Sequence, residues 1–149
     1  MRKAPAPAVV ASPVTDYAVR VVEGEIVAGR LVRLACQRHL RDLQDGAARG
    51  LWFDEEAAQF AIDFFEIPRH YVGEWAGRPL TLQPWQAFRV GSVFGWKRAD
   101  GTRRFRKAYN EVARKNGKTL IAAALGLYLL VADGEAGGEV YVTATTKKQ

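Results

Sequence analysis

The sequence is poor in the residues that form covalent or metal cross-links. Its 149 residues contain one cysteine, Cys36, and two histidines, His39 and His70. A single thiol excludes an intrachain disulfide and suits a reducing compartment. One cysteine and two histidines do not make a metal-ligand set. We therefore expect neither a disulfide scaffold nor a zinc site.

Segments that would enter a membrane are also lacking. The apolar stretch at residues 120–132 is shorter than the roughly 20 residues that a membrane-spanning helix needs. The N-terminus begins Met-Arg-Lys and continues with alanine and proline, which is not the apolar core of a signal peptide. We expect no membrane partner and interpret residues 120–132 as a buried helix.

What the chain does contain indicates a globular protein of about one domain. Hydrophobic residues make up 48% of the chain and charged residues 26%, so the chain has enough hydrophobic residues to form a packed core. The formal net charge is +6, which is compatible with a polyanionic partner without specifying one.

The N-terminal part is predicted to be helical after a short leader. Residues 1–14 are rich in alanine and proline and are predicted to be flexible. Thr15 is the predicted N-cap of a helix that extends to about residue 43, and Gly24 and Gly29 mark places where this helix breaks early.

A basic stripe accompanies this helical pattern. Its members are arginines on the face opposite the apolar residues: Arg30, Arg33, Arg38 and Arg41. Such a stripe could contact DNA, but a solvated helix face is the more common meaning of the pattern.

An apolar run that ends in two acids requires a choice between two interpretations. Residues 51–55, Leu-Trp-Phe-Asp-Glu, resemble the carboxylate pair that follows a strand in many ATPases. We instead interpret Asp54 as the N-cap of a helix through Glu66, because Glu55 suits a first turn and the apolar residues that follow have helical period.

The strongest chemical signal is Gly117-Lys118-Thr119. Residues 105–112 are predicted to form a strand before it, and residues 120–132 a helix after it. Strand, tight loop and helix is the arrangement of a phosphate-binding loop, in which helix N-terminal N–H groups face the phosphates. In such a loop Lys118 reaches the phosphates and the Thr119 hydroxyl binds Mg²⁺.

The match to this loop is imperfect at one position. The first glycine of the usual pattern, five residues before Gly117, is Val112 here. An alternative interpretation is a basic β-turn in which Gly117 supplies a positive φ. That alternative does not explain why a threonine and a long apolar helix follow at once.

Two further signals lie before the loop. Asp100-Gly101 between aromatic-bearing runs predicts a hairpin. Gln86, some thirty residues before the loop, stands where nucleoside ATPases can contact adenine through an amide, although ordinary packing is the more common role of such a residue.

The end of the chain predicts a second strand. Val140, Val142 and Ala144 alternate with polar neighbours over residues 139–145. Together with the strand before the loop and the crossover helix, this segment predicts one right-handed βαβ unit.

These features together resemble a known family, the large terminase subunit of tailed double-stranded DNA bacteriophages. The resemblance covers residues 50–149. It is carried by Leu82-x-Pro84-Trp85-Gln86, Phe94-Gly95-Trp96, Asp100-Gly101, Arg103-Arg104-Phe105-Arg106, Ala113-Arg114-Lys115-Asn116-Gly117-Lys118-Thr119 and Val140-Tyr141-Val142-Thr143-Ala144-Thr145-Thr146. Phosphate loops of the form Arg-Lys-Asn-Gly-Lys-Ser/Thr are frequent in this family.

The resemblance implies an α/β fold. The expected architecture is an additional-strand RecA-like P-loop ATPase domain whose parallel sheet is truncated after its second core strand. The chain is thus predicted to have three parts. Composition and periodicity predict the leader at residues 1–14 and a helical N-terminal segment at 15–80, and the resemblance implies the first part of the ATPase domain at 81–149.

The resemblance also implies a site and partners. Gln86 resembles the adenine-contacting glutamine, Lys118 and Thr119 the phosphate and Mg²⁺ residues, and Arg114 a basic residue near the γ-phosphate of ATP. Lys115, Asn116 and Gly117 complete the nucleotide-binding loop. The implied partners are double-stranded DNA, a portal protein, a small terminase subunit and the remaining C-terminal part of the large subunit, in the cytoplasm of a bacterial host.

Two other functions remain open at this point. The same loop and glutamine could serve a helicase-like DNA translocase, or the chain could be a non-catalytic basic DNA-binding or assembly piece. After Thr119 no Walker B carboxylate, adjacent catalytic glutamate or acidic nuclease cluster follows before Gln149. We therefore expect a fragment of a longer motor that is inactive as an ATPase on its own.

Overall fold

The structure is a computed structural model that describes residues 12–70, 73–134 and 137–143. The predicted leader lies almost wholly outside these residues, as do residues 144 and 145 of the predicted second strand. In chain order the elements are α1 (Pro13–Glu23), α2 (Arg30–Asp45), a 3₁₀ turn (Gly46–Arg49), β1 (Leu51–Phe53), α3 (Glu55–Asp63), a 3₁₀ turn (Phe64–Glu66), α4 (Pro84–Gly95), β2 (Trp96–Arg98) and α5 (Lys118–Val131).

The N-terminal helical pattern forms two helices, with the break where the glycines predicted it. Gly24 ends α1 in the left-handed conformation with φ +88°, and Gly29 is the N-cap of α2. The prediction that Thr15 is an N-cap is wrong, because α1 begins at Pro13 with Ser12 as its N-cap. Proline at the first helical position needs no N–H partner, so the helix starts there.

Three of the four arginines in the stripe contact other groups of the protein. Arg33 Nη1 donates to the Val21 carbonyl at 3.0 Å, which satisfies a carbonyl at the end of α1. The Arg38 guanidinium lies 4.9 Å from the centre of the Phe105 ring, and Arg41 Nε is 3.7 Å from Asp42 Oδ1. These contacts favour a structural role for the stripe.

The helix predicted after Asp54 is confirmed. The Asp54 side chain accepts a hydrogen bond from the Ala57 N–H at 2.9 Å, and α3 continues into the 3₁₀ turn that ends at Glu66. Asp54 therefore caps a helix and does not follow a nucleotide-binding strand.

The expected parallel sheet is absent from the described residues. The sheet that is present pairs β1 with β2 antiparallel, with Phe53 opposite Trp96 and Leu51 opposite Arg98. Residues 105–112 and 139–143 form no strand, so the strand predictions are wrong for these residues. A parallel strand needs ladder partners at its edges, and the described residues supply none to either segment.

The hairpin predicted at Asp100-Gly101 is confirmed. The Gly101 N–H donates to the Arg98 carbonyl at 2.9 Å, and Asp100 Oδ1 accepts from both the N–H and the hydroxyl of Thr102. Gly101 has φ +79°, which a glycine adopts without strain.

Helix α4 lies between two hydrophobic clusters. Phe88 packs with apolar residues of α1, including Val14, while Val90 and Phe94 pack with α3 and α5. Gly91 and Gly95 allow the backbone of α4 to lie close to the side chains of Val14 and Phe53. A Cβ on Gly91 would stand 2.3 Å from Val14 Cγ2, and a Cβ on Gly95 2.5 Å from the Phe53 ring.

No helix in the described part of the chain is both long and apolar enough to cross a bilayer. The apolar helix at the end of the sequence is instead α5, whose Ile121, Ala124 and Tyr128 are buried against α3 and α4. The predicted helix after the loop is therefore confirmed.

Candidate functional site

The segment Gly117-Lys118-Thr119 lies where a tight loop turns into α5. Gly117 is the N-cap of this 14-residue helix and has φ +72°, and its carbonyl accepts the first helical hydrogen bond from the Ile121 N–H at 2.9 Å. Gly117 therefore has the positive φ that belongs to the alternative interpretation, a basic β-turn, and a long apolar helix begins directly after it. Lys115 also has a positive φ, +66°, which costs a non-glycine residue about 1 kcal/mol.

Side chains of the loop donate hydrogen bonds to backbone carbonyls of the same loop. Lys118 Nζ donates to the Val112 carbonyl at 2.9 Å. Asn116 Nδ2 donates to the carbonyls of Ala113 and Arg114 at 3.3 and 3.2 Å. The lysine therefore spans the loop and contacts the backbone of Val112, the residue in place of the usual first glycine.

The start of α5 offers donors to an anion. The N–H groups of Lys118, Thr119 and Leu120 have no acceptor within the helix, because the first turn of any α-helix leaves its N–H groups unpaired. The positive end of the helix dipole lies at the same place. Arg114, Lys115, Lys118 and Thr119 are all exposed, so a ligand can reach them.

Gln86 lies beside this loop. Its side chain is 9% exposed, and a Cβ built on Gly117 would stand 3.8 Å from Gln86 Nε2. Gln86 Oε1 accepts a hydrogen bond from the Gln83 N–H at 2.8 Å, which caps the start of α4. The amide is thus held in place through its oxygen, and that oxygen retains a second lone pair.

Asp133, the acid that follows α5, is engaged away from the loop. Both carboxylate oxygens of Asp133 accept from Arg103 Nη1 at the C-terminal end of α5. That end is about 20 Å from Thr119, at 1.5 Å of rise per helical residue. The described residues contain no group of three His, Cys, Asp or Glu side chains that could hold a metal ion. The exposed Thr119 hydroxyl is an oxygen of the kind that Mg²⁺ takes as a ligand, and no such group of side chains accompanies it among the described residues.

A second polar centre, which the sequence analysis missed, lies where α1, α2 and β2 meet. His39 is 2% exposed. Trp96 Nε1 donates to His39 Nδ1 at 3.0 Å, so His39 Nε2 carries the proton and faces Thr15 Oγ1 at 3.1 Å. Burial lowers the pKa of His39 to about 4; the Asp42 carboxylate opposes this shift and the charge of Arg38 adds to it. Nothing in the sequence pattern distinguishes this buried histidine from a surface one.

The buried carboxylate of Asp42 lies near this histidine. Burial alone would raise the pKa of Asp42, but hydrogen bonds from Arg49 at 2.6 Å and Arg104 at 2.5 Å outweigh it and hold the pKa below its ordinary value. This network fixes the 3₁₀ turn and the hairpin against α2.

Arg89, one turn after Gln86 on α4, is a further residue that the sequence did not single out. Its Nε and Nη1 atoms are buried and, like Ser92 Oγ, have no hydrogen-bond partner among the described residues. A buried polar group without a partner costs about 1–3 kcal/mol. Its signal in the sequence was a lone cation inside the otherwise apolar pattern of α4.

A comparison with family models matches residues 84–149, less than half of the chain, to the terminase large subunit, ATPase domain. No curated protein matched the chain, and no solved structure matched it. The matched range begins at the first residue of α4 and includes Gln86 and the whole loop. Residues 84–149 are therefore similar to the ATPase domain of the terminase large subunit.

Proposed function

We propose that the chain binds ATP at residues 112–119, which form a Walker A phosphate loop, as part of a phage DNA-packaging ATPase. The observation that carries the proposal is the placement of Gly117, in the left-handed conformation, at the start of α5 with the Gln86 amide beside it. A loop, a helix N-terminus and an amide converge there from two separate parts of the chain.

The phosphates would bind where the loop already holds its lysine. Lys118 Nζ exchanges the Val112 carbonyl for a phosphate oxygen, so its side chain moves little when the ligand arrives. The unpaired N–H groups at the start of α5 donate to the same phosphates, and the exposed Arg114 adds charge near the γ-phosphate. The Thr119 hydroxyl holds the Mg²⁺, which when bound neutralises phosphate charge during transfer.

The base would lie next to Gln86. An amide can donate to one edge atom of adenine and accept from another. The hydrogen bond from the Gln83 N–H restrains the amide before the nucleotide binds, which reduces the entropy lost on binding.

The family supports a packaging role for this nucleotide site. We propose that ATP hydrolysis in the complete motor moves double-stranded DNA into a preformed capsid in the cytoplasm of the bacterial host. The partners in this proposal are the portal protein, the small terminase subunit and a C-terminal part of the large subunit that supplies the Walker B carboxylate and the nuclease.

Equilibrium binding of a fluorescent ATP analogue to the 149-residue chain tests the loop. Lys118→Ala should weaken binding about tenfold or more, because a hydrogen bond to a charged group contributes about 1.5–3 kcal/mol. Arg30→Ala removes the same charge from an exposed position on α2 and should leave the affinity unchanged. Equal affinities for the parent chain and for a folded Lys118→Ala variant would contradict the proposal.

A further inference from the structure

We propose a second anion site, separate from the loop, in which Arg89 and Ser92 bind a phosphate group. The site is a groove of about 1060 Å³ between α4, α5 and residues 101–110. Both side chains line this groove, and both contribute buried polar atoms that have no partner among the described residues.

The unpaired atoms point to a ligand from outside the described structure. Arg89 Nε and Nη1 are donors only, and arginine keeps its charge at any ordinary pH. Burial lowers the pKa of Arg89, which reflects the cost of holding that charge away from water. An oxyanion removes this cost, because it supplies both hydrogen-bond acceptors and a compensating charge.

The side chains are oriented to share one ligand. Arg89 and Ser92 are three residues apart on α4, so they lie on the same face of the helix. The Arg89 guanidinium lies 5.1 Å from the centre of the Trp85 ring. Stacking of this kind fixes the guanidinium plane and leaves the in-plane N–H groups to an acceptor.

The charge of the groove fits an anion. One acid, Asp133, lies among the described lining residues, and Arg103 already neutralises it. The basic side chains that line the groove are Arg38, Arg89, Lys97, Arg103, Arg106 and Lys107. Their excess raises the local concentration of anions and favours a polyanionic ligand over a single carboxylate.

This groove is distinct from the proposed ATP site. No residue of the loop at 112–119 lines it, and Gln86 is the residue that the two sites share. A phosphate held by Arg89 is therefore a different phosphate from the one held by Lys118. It comes either from a free polyphosphate or from the backbone of DNA.

Titration calorimetry with pyrophosphate tests the site in a Lys118→Ala background, which removes the loop's contribution. Arg89→Met keeps the packing on Trp85 but loses the charge, and should weaken pyrophosphate binding at least tenfold. Arg78→Met is the matched control, because Arg78 stacks on Trp75 at 5.0 Å and is exposed outside the groove. This control should bind as the background does.

A second measurement separates binding from folding. Arg89→Met should melt at a higher temperature than the background without any anion, because an unpaired buried charge is gone, and pyrophosphate should no longer raise its melting temperature. If Arg89→Met does not fold, Ser92→Ala should still weaken pyrophosphate binding at least threefold. Unchanged pyrophosphate affinity in whichever of these variants folds overturns the proposal.

The source of the phosphate follows from competition in the same background. If DNA is the source, a short double-stranded oligonucleotide displaces pyrophosphate, and its own binding weakens in Arg89→Met. If a free polyphosphate is the source, pyrophosphate stays bound in the presence of the oligonucleotide. Both results require binding that depends on Arg89, and the absence of such binding overturns the proposal whether or not the loop binds ATP.

Discussion

The side-chain amide of Gln86 lies against the backbone of Gly117, with 3.8 Å between Gln86 Nε2 and a Cβ built on that glycine. Gln86 belongs to the first turn of α4, and Gly117 caps α5. A nucleotide whose phosphates face the start of α5 therefore has an amide within reach.

Gln86→Ala should weaken ATP binding more than GTP binding. A buried amide that contacts the adenine edge contributes on the order of 1–3 kcal/mol, whereas guanine presents different edge atoms. The measurement is a pair of binding titrations with the two nucleotides.

Gln86→Glu is the control for this substitution. A carboxylate still accepts from the Gln83 N–H, so the start of α4 stays capped, but the amide donor is gone. This variant should lose the preference for ATP as well. Equal losses for ATP and GTP in both variants would mean that Gln86 serves packing alone.

The 149-residue chain should bind ATP without turning it over. Hydrolysis needs a carboxylate to hold Mg²⁺ together with Thr119, and a group to orient the attacking water. Asp133 is paired with Arg103 at the far end of α5, and Asp54 caps α3. A steady-state phosphate-release assay, with and without double-stranded DNA, should give the same rate for the chain and for Lys118→Ala. Turnover that disappears only in Lys118→Ala would show that a complete site is present.

Gly91→Ala should destabilise the protein by about 1–3 kcal/mol, the usual cost of overpacking a core. The new Cβ would stand 2.3 Å from Val14 Cγ2, and this clash exceeds the gain of about 1 kcal/mol from better helix propensity. Urea unfolding measures the difference in the free energy of unfolding.

Gly126→Ala is the matched control for this prediction. Gly126 also lies inside a helix, α5, but its Cβ would meet Val140 Cγ1 at 3.4 Å, an ordinary contact. This substitution should leave stability unchanged or raise it by up to about 1 kcal/mol. Similar losses in the two variants would argue against close packing of α1 on α4.

Stability should fall as the pH is lowered from 7 to 5, and His39 should cause the fall. The pKa of His39 is about 4 in the folded protein against an ordinary value of 6.5. Between these values the unfolded chain binds a proton that the folded protein does not, so protonation favours unfolding by about 2 kcal/mol at pH 5. Asp42, whose pKa lies below its ordinary value of 3.8, stays ionised throughout this range.

The measurement is the free energy of unfolding at several pH values. His39→Gln should flatten the profile between pH 7 and pH 5, because glutamine does not titrate. The variant's stability at pH 7 is not the readout, since the loss of a buried ring affects it in any case. An equally steep profile in His39→Gln would place the titrating group elsewhere.

The features that the sequence predicted are those decided by neighbouring residues. The cap at Asp54, the hairpin at Asp100-Gly101 and the helix after Thr119 each depend on a few adjacent positions. The family resemblance was also predicted, because order and spacing of motifs carry it.

The features that the sequence did not predict depend on distant partners. Residues 105–112 have the composition of a strand, but a strand forms only where another supplies its hydrogen bonds. The sequence predicts Thr15 as a helix cap, but its hydroxyl contacts His39, 24 residues away. The lack of a hydrogen-bond partner for Arg89 likewise depends on which elements surround α4, and the residues next to Arg89 in the sequence do not predict those elements.

The ion pair between Arg103 and Asp133 has a consequence for the segment between them. The two residues are 30 positions apart, and their ion pair joins the hairpin to the C-terminal end of α5. The segment between them, which includes the loop at 112–119, is therefore tied at both ends. Closing a loop of this length removes conformational entropy that a free segment would retain. Because this ion pair is partly exposed, a higher salt concentration weakens the attraction between its two charges. The segment between the two residues contains several lysines and arginines. A protease that cleaves after basic residues should therefore cut this segment faster as the salt concentration is raised.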